Sequence, residues 1–255
     1  MVIKSKTVAI FFTYSISILI GITLINKLQH KICQRESFLV HQHQQVQRQQ
    51  ITNKYNTETK YHFQLYSYNG PPHNESKLIK SNSYETTEQQ LILYFVKETD
   101  NVLELGANIG TSSILLSKIL QDSEKQHVSV EPNEDILKIL EKNKVLNNSN
   151  FNIIPGIVSP PGKFYLEGDG WGGHIVKHKT NRKVKTFDFN ELDSKYNFNV
   201  LFADCEGSLS QLLIDYPYIH QKLRLVIYER DGGGDYSMVD NYFHKNNFKV
   251  VFDSG

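Results

Sequence analysis

The sequence predicts a doubly wound α/β domain that follows an N-terminal membrane-spanning helix. From about residue 85 onwards, short apolar runs typical of buried strands alternate with segments whose apolar residues repeat at helical spacing. This alternation is typical of βαβ units and a parallel sheet. A glycine-rich turn joins the first buried run to the next helix pattern, and an uncharged apolar run lies near the N-terminus. These features predict both the fold class and the domain boundaries.

The N-terminal run, VAIFFTYSISILIGITLI over residues 8–25, is long enough to cross a bilayer and carries no charge. A helix crosses the hydrocarbon core in roughly 20 residues, and this run is longer than the core of a usual signal peptide. The polar segment NKLQHKICQRE follows it and offers no cleavage site of the small-x-small type. We therefore predict a retained membrane anchor over residues 1–26, with a cleaved signal peptide as the alternative.

The rest of the chain divides into a stem and a compact domain. Residues 27–60 are polar and Gln-rich and cannot bury enough apolar surface to offset ordering. The compact domain is expected over residues 61–255. Because single N-terminal anchors are common in secretory-pathway enzymes, we expect a single-pass protein with this domain in the lumen; the similar positive charge on both flanks of the anchor leaves its orientation open.

Helix and strand patterns alternate along the compact domain. Helices are predicted where apolar residues recur at i, i+3 and i+4, and strands where short β-branched runs lie between turn residues. Residues 163–186 interrupt the alternation, because short alternating runs between Gly-rich turns predict a hairpin insertion. In chain order the patterns are TTEQQLILYFVKE (helix), NVLEL (strand), TSSILLSKIL (helix), HVSVE (strand), NEDILKILEKNKVLN (helix), NFNIIPG (strand), the insertion, NVLFAD (strand), LSQLLIDY (helix), LRLVIYE (strand), YSMVDNYFHKN (helix) and FKVVFD (strand).

The turn after the first strand, GANIG over residues 106–110, consists of small residues. In a doubly wound sheet, ligands bind outside the carboxyl ends of the strands, where the strand order reverses. Gly106 allows a sharp turn and close approach of a ligand, and Gly110 lets the helix begin close to the sheet. The Gly-x-x-x-Gly spacing is neither the dinucleotide fingerprint nor the Lys-containing phosphate loop. The turn therefore predicts a ligand other than a triphosphate.

The second predicted strand ends in Glu131, about 20 residues beyond the turn, where doubly wound nucleotide sites place an acid on the ribose hydroxyls. Pro132 and Asn133 then turn the chain into the next helix. A carboxylate at this strand end can accept hydrogen bonds from both hydroxyls of a cis-diol. Together, the turn and Glu131 predict a nucleoside site.

Five segments, in this order, resemble the FkbM family of S-adenosylmethionine-dependent methyltransferases over about residues 85–230. The resemblance implies a Rossmann-like class I methyltransferase fold for residues 61–255. It also implies methyl transfer to oxygen, on a sugar or small-molecule hydroxyl, with S-adenosyl-L-methionine as cofactor. The segments are LELGANIGTSSILLS, VSVEPNEDILKILEKNKVLN, PGIVSPPGKFYL, KVKTFDFNEL and VLFADCEGSLSQLL.

The resemblance also implies which residues hold the cofactor. Glu131 would hold the ribose, and Asn133 in the turn behind it is included in the site. Ile157 and the two residues after it would border the adenine. The methionine part would be held by Glu104, Gly106, Ala107, Asn108 and Gly110.

Methyl transfer to an alcohol also needs a base for the hydroxyl proton. The resemblance places Asp204 and Glu206 near the reacting centre, and either carboxylate, if desolvated beside the other, can have a raised pKa and act as the base. His174, in the Gly-rich GWGGH loop of the insertion, is the third candidate. The FADCEG sequence departs from the family pattern, because it lacks a Lys two positions before Asp204.

Composition excludes some functions and leaves two alternatives open. The 28 Lys and Arg residues balance 27 Asp and Glu residues, for a net charge of +1, so nothing indicates a nucleic-acid partner. Cysteines at zinc-ligand spacing are absent, and we expect no metal. An NAD(P)-dependent oxidoreductase is one alternative, since Tyr218 and Lys222 have the Tyr-x-x-x-Lys spacing. A degenerate methyltransferase-like binding module is the other, because of the altered ADCEG motif and a sequence ending just after FKVVFD.

Overall fold

The structure is a computed structural model that describes residues 63–67, 78–80, 85–168, 173–230 and 235–253. The predicted anchor and stem, residues 1–60, lie outside these ranges. Within the ranges, every helix is too short or too polar to cross a bilayer. Residues 57–249 form one compact unit; of the second unit, which comprises residues 1–56 and 250–255, the described residues 250–253 contain neither helix nor strand.

From residue 86 to residue 245 the compact unit alternates strands and helices, and it contains each predicted element of that range; the strands at Gln64–Tyr66 and Leu78–Lys80 and the short helix at Ser123–Gln126 are additional. The strands are β1 (Gln64–Tyr66), β2 (Leu78–Lys80), β3 (Val102–Leu105), β4 (His127–Glu131), β5 (Asn152–Pro155), β6 (Ile157–Val158), β7 (Phe164–Glu167), β8 (His174–Val176), β9 (Lys183–Val184), β10 (Thr186–Phe187), β11 (Val200–Ala203) and β12 (Leu225–Tyr228). The helices are α1 (Thr86–Phe95), α2 (Thr111–Ile119), α3 (Ser123–Gln126), α4 (Glu134–Leu146), α5 (Phe189–Tyr196), α6 (Ser208–Asp215) and α7 (Tyr236–Lys245), with a 3₁₀ turn at Ile219–Gln221.

Five strands form a parallel sheet in the order β12-β11-β3-β4-β5. The strand order reverses between β3 and β11, so the two strands that flank this point leave a crevice at their carboxyl ends. The predicted doubly wound, Rossmann-like α/β architecture is therefore confirmed for the described residues.

Two apolar cores lie on the two faces of this sheet, and alternate residues of one strand belong to opposite faces. In β11, for example, Val200 and Phe202 pack into one core, and Leu201 and Ala203 pack into the other. Burial on both faces explains why the strand segments are almost continuously apolar. The two faces also fix which helix ends reach the crevice.

The insertion differs from the predicted single hairpin. Strands β7, β8 and β9 form a three-stranded antiparallel sheet with β7 in the middle. The pair β6–β10, which is parallel, closes the base of the insertion. The reason is that β9, which follows β8 after the connection at residues 177–182, returns to pair with β7, so Val184 lies opposite Phe164.

Two further differences have local causes. The sequence analysis predicts no element over the segment that becomes α5, but the Asp188 carboxylate accepts hydrogen bonds from the N–H groups of Asn190 and Glu191 and starts this helix. The predicted strand FKVVFD is wrong, because residues 248–253 contain no strand. Instead, the N–H of Phe248 donates to the carbonyl of Phe243, and the two rings pack with centroids 5.2 Å apart.

Candidate functional site

A cavity of about 280 Å³ opens at the carboxyl ends of the central strands. The glycine turn, the end of β4, the start of α6 and the insertion contribute to its walls. One part of the lining is apolar and the other is acidic. The apolar residues include Ile157, Val158, Leu166, Ile175 and Leu212, and the acidic residues are Glu85, Glu131, Asp204, Glu206 and Glu229.

Gly106 permits two strand ends to approach each other at this cavity. Its φ is +81°, and a Cβ atom there would lie 1.6 Å from the carbonyl oxygen of Asp204. Its N–H donates to the carbonyl of Val130, at 3.0 Å. The turn thus passes between the ends of β4 and β11 with no room for a side chain, and the backbone itself lines the cavity.

Glu131 is buried at the end of β4 and holds the turn in place. One carboxylate oxygen accepts a hydrogen bond from the N–H of Asn108 at 3.0 Å, and the other accepts from the N–H of Asn133 at 2.8 Å. Burial raises the pKa of Glu131 to about 7, against the lowering effect of these two N–H groups, and the charge of Glu104 adds to the rise. Glu131 therefore titrates close to neutral pH.

Glu104 lies behind the turn rather than in the cavity lining. Its fully buried carboxylate accepts hydrogen bonds from the hydroxyls of Ser113 and Ser129 at 2.7 and 2.5 Å. The same oxygen lies 2.8 Å from Nε2 of His127. This network joins β3, β4 and α2, and so it supports the first strand and the helix that follows the turn.

The five residues predicted to hold the methionine part therefore occupy different places. Among the described residues, Gly106 and Asn108 line the cavity, whereas Glu104, Ala107 and Gly110 are outside its lining. Ala107 packs into the core. Gly110 caps α2 with φ +94°, and a Cβ atom there would lie 2.6 Å from Cδ1 of Leu140, so its small size lets α2 pack against α4.

Asp204 and Glu229 form a carboxyl pair at the acidic part of the cavity. Burial and the hydrogen bond with Glu229 raise the pKa of Asp204 to about 9, and the charges of Glu85 and Glu206 add to the rise. The Asp204–Glu229 pair therefore retains a proton at neutral pH. The sequence analysis expects Glu206 to be the partner of Asp204, but Glu229, from the end of the neighbouring strand β12, has the larger effect.

Glu206 and Glu85 have left-handed backbone conformations, with φ values of +49° and +48°. This conformation costs about 1 kcal/mol or more in residues other than Gly, Asn and Asp. Both residues line the cavity. Strained backbone in two acidic residues of one cavity favours a role for them in ligand binding, and Glu85 is a residue that the sequence analysis misses because no motif marks it.

The insertion contributes His174 to the cavity wall. Nε2 of His174 lies 3.3 Å from one carboxylate oxygen of Glu167, and Nε2 of His178 lies 3.0 Å from the other. His174 is half exposed, so its ring can meet a ligand at the cavity mouth. Ile157 and Asn133, which are predicted to contact the cofactor, also line the cavity.

Arg182 connects the insertion to the strand end that carries Glu131. Its guanidinium donates to the carbonyl of Gly168 and to Oδ1 of Asn133, each at 2.7 Å. Asn133 in turn donates its N–H to Glu131 and accepts from the N–H of Asp135 at the start of α4. Sequence reasoning misses Arg182, since nothing in the run TNRKVK separates this residue from its basic neighbours.

The electrostatics of the cavity favour a ligand that carries positive charge. Neither Lys nor Arg occurs among the described residues of its lining, whereas five carboxyl groups do. Over the same described ranges, no group of three or more His, Cys, Asp and Glu side chains is arranged to hold a metal ion. A pyrophosphate group would find neither Lys nor Arg in this lining.

No family model matches the chain, and no curated protein matches it, so membership of the FkbM family stays a prediction. Among solved structures, the chain is similar to Trm5 of Methanocaldococcus jannaschii, crystallised in complex with adenosine. The two are 17% identical with a TM-score of 0.33, and the match covers 65% of this chain and 41% of that one. The function is accordingly inferred from the residues of the site.

Proposed function

We propose that the chain is a membrane-anchored S-adenosylmethionine-dependent methyltransferase of the FkbM type that methylates a hydroxyl of a sugar or small-molecule acceptor. The observation that carries this proposal is a cavity in which a buried Glu131 adjoins the backbone of Gly106 and the lining contains four further carboxyl groups but neither Lys nor Arg. The apolar run over residues 8–25 supports the anchor, and lumenal placement of residues 61–255 belongs to the same proposal.

The residues of the cavity suit the three parts of the cofactor. The second lone pairs of the Glu131 oxygens are available to ribose hydroxyls, and the apolar residues Ile157 and Val158 offer a surface for the adenine ring. Gly106 and Asn108 lie on the wall between Glu131 and the acidic part. There, the carboxyl groups complement the positive sulfonium and ammonium groups.

When bound, S-adenosylmethionine supplies a methyl group on a sulfonium, which passes to the acceptor oxygen in an in-line displacement that leaves a thioether. The chain itself must then accept the proton of the acceptor hydroxyl. Because the Asp204–Glu229 pair retains its proton at neutral pH, His174 and Glu206 are the groups of the cavity wall best suited to this role. The contact between Nε2 of His174 and the Glu167 carboxylate, at 3.3 Å, orients the imidazole at the cavity wall.

The oxidoreductase alternative has less support. Tyr218 donates its hydroxyl to Asn190 at 3.1 Å, and Lys222 is paired with Asp193 at 2.7 Å. Neither belongs to the described lining of the cavity, and the acidic lining opposes a dinucleotide pyrophosphate. The degenerate binding module keeps one point in its favour, because the raised pKa of Asp204 makes this residue a poor base at neutral pH. A turnover measurement separates the module from an enzyme.

Calorimetry on the full chain in detergent tests the cofactor assignment. We expect S-adenosylmethionine and its demethylated product to bind and NAD to show no binding. Glu131→Ala should weaken binding by about tenfold or more, because two hydrogen bonds to a carboxylate are lost. Glu141→Ala, on an exposed turn of α4, is the matched control. Binding of NAD in preference to the methyl donor would refute the assignment.

Turnover is tested by incubating the full chain with labelled methyl donor and a host extract. An enzyme transfers the label to a component of the extract, and Glu131→Ala does so far more slowly. A binding module takes up the donor but leaves every component unlabelled.

A further inference from the structure

A second cavity, of about 440 Å³, adjoins the first. It lies between the antiparallel insertion on one side and helix α6 on the other. Its lining combines an apolar wall with a polar rim, which includes Gln211, Asp215 and Lys177. Phe164 and Val176 belong to the apolar wall of this cavity alone, whereas Ile157, Val158, Ile175 and Leu212 line both cavities.

The two cavities meet at residues that line both of them. His174 and Glu206 are among these shared residues, as are Ile175 and Ser208. A molecule that occupies the second cavity can thus extend a group into the first cavity past an imidazole and a carboxylate. Both side chains can accept a proton, which is what methylation of a hydroxyl requires.

The volume of the first cavity restricts what it can hold. Pockets for one drug-sized ligand measure about 300–1,000 Å³. At about 280 Å³, the first cavity lies just below this range, so it has no room for the donor and the body of a second molecule together. The acceptor must therefore have most of its volume elsewhere, and the adjoining cavity is large enough to take it.

We infer that the second cavity binds the body of the acceptor, a hydroxylated compound with an apolar ring or chain, and that its hydroxyl enters the first cavity between His174 and Glu206. This inference rests on the proposed function, since it assigns the donor to the first cavity. It narrows the acceptor class, because a free sugar would leave the apolar wall in contact with water.

The walls of the second cavity fit such an amphipathic acceptor. The ring of Phe164 packs against Gly162, where a Cβ atom would lie 2.6 Å from the ring. An aromatic ring in a cavity wall favours stacking against an aromatic or sugar ring. On the opposite side, the Gln211 amide donates to Asp215 at 2.8 Å and keeps its carbonyl oxygen for an acceptor hydroxyl.

Binding of model acceptors to the full chain, saturated with the demethylated donor, tests the inference by calorimetry. The probes are octyl and 4-nitrophenyl hexosides, the corresponding free hexose, and the hexose 6-phosphate. We expect the two glycosides to bind about tenfold or more tightly than the free hexose, because each buries apolar surface. The phosphate should bind most weakly. Failure of the glycosides to bind, or equal affinity for the free hexose, would overturn the inference.

A cavity-filling substitution identifies the site of this binding. Gln211→Trp, on an exposed position of α6, should weaken glycoside binding about tenfold or more, because the indole occupies the space of the acceptor. Ile214→Trp is the matched control, since Ile214 is exposed on the same helix and lines neither cavity. Donor affinity should stay unchanged in both variants.

The outcomes separate the two proposals. If the wild-type chain does not bind the donor, the proposed function fails. If the donor binds but Gln211→Trp and Ile214→Trp affect glycoside binding equally, the proposed function stands and the acceptor assignment fails.

Discussion

At the scale of single residues, Glu131 connects the geometry of the turn with the chemistry of binding. Its two oxygens accept the N–H groups of Asn108 and Asn133, and these bonds orient the carboxylate. Burial nevertheless raises its pKa to about 7. A ligand that donates hydrogen bonds to Glu131 therefore favours the charged form of this carboxylate.

Donor affinity should therefore depend on pH near neutrality. Because the charged form of Glu131 binds ribose hydroxyls and its pKa is about 7, lowering the pH from about 8 to about 6 should weaken donor binding roughly tenfold. Calorimetry across this range measures the effect. Glu131→Gln should bind more weakly and show a flat profile. If donor binding by Glu131→Gln keeps the pH dependence of the wild-type chain, a different group titrates. Glu104 is the other carboxylate whose charge acts on Glu131.

The sequence predicts one part of the site because that part lies within a contiguous motif. Gly106 and Glu131 belong to strand ends whose neighbours along the chain reveal their position. Glu229 follows a predicted strand end in the same way, but its contact with Asp204 depends on the order of the strands in the sheet. Glu85 and Arg182 belong to no motif, and spacing along the sequence does not disclose their positions. The partner of Asp204 is therefore the residue at the next strand end, Glu229, rather than the residue two positions away.

At the scale of elements, the parallel strands are predictable because burial on both faces demands continuous apolar runs. The exact form of the insertion is not, since its strands are two to four residues long and their pairing depends on contacts with β7. The FKVVFD segment has the composition of a strand, yet strand formation needs a neighbour. Its first residue packs on α7 instead.

Arg182 should determine how firmly the insertion covers the cavity. Arg182→Met removes the hydrogen bonds to Gly168 and Asn133, so we expect faster amide hydrogen exchange in β7 and β8 and about tenfold weaker donor binding. The N–H of Asn133 lowers the pKa of Glu131, so loss of the Arg182 contact with Asn133 should also raise the apparent pKa of donor binding. A purely structural loss would leave this pKa unchanged. Lys183→Met, at the next and exposed position, is the control. Equal exchange rates in the two variants would contradict this role.

At the scale of the whole molecule, the acidic cavity sets the sign of the dependence of stability on pH. The pKa values of Asp204 and Glu131 are raised on folding, to about 9 and about 7, so the folded chain retains protons that the unfolded chain loses. Their contribution to the free energy of unfolding is full below about pH 4 and is lost as pH rises through these two values. The fold is thus least stable at high pH, where the site carries the most negative charge. A positively charged ligand offsets this loss of stability.

The melting temperature of the full chain should consequently fall between about pH 6 and about pH 9, by about 2–4 °C for each kcal/mol of stability lost. Asp204→Asn should reduce this fall, because an amide keeps the shape of the protonated carboxyl and cannot ionise. Asp122→Asn, at a surface ion pair with Lys125, should leave the profile unchanged. Adding the donor should raise the melting temperature more at about pH 9 than at about pH 6, since the acidic groups are then charged. Thermal melts followed by circular dichroism measure these profiles. If Asp204→Asn lowers the melting temperature equally at every pH, the protonated state of the Asp204–Glu229 pair does not link folding to the charge of the site.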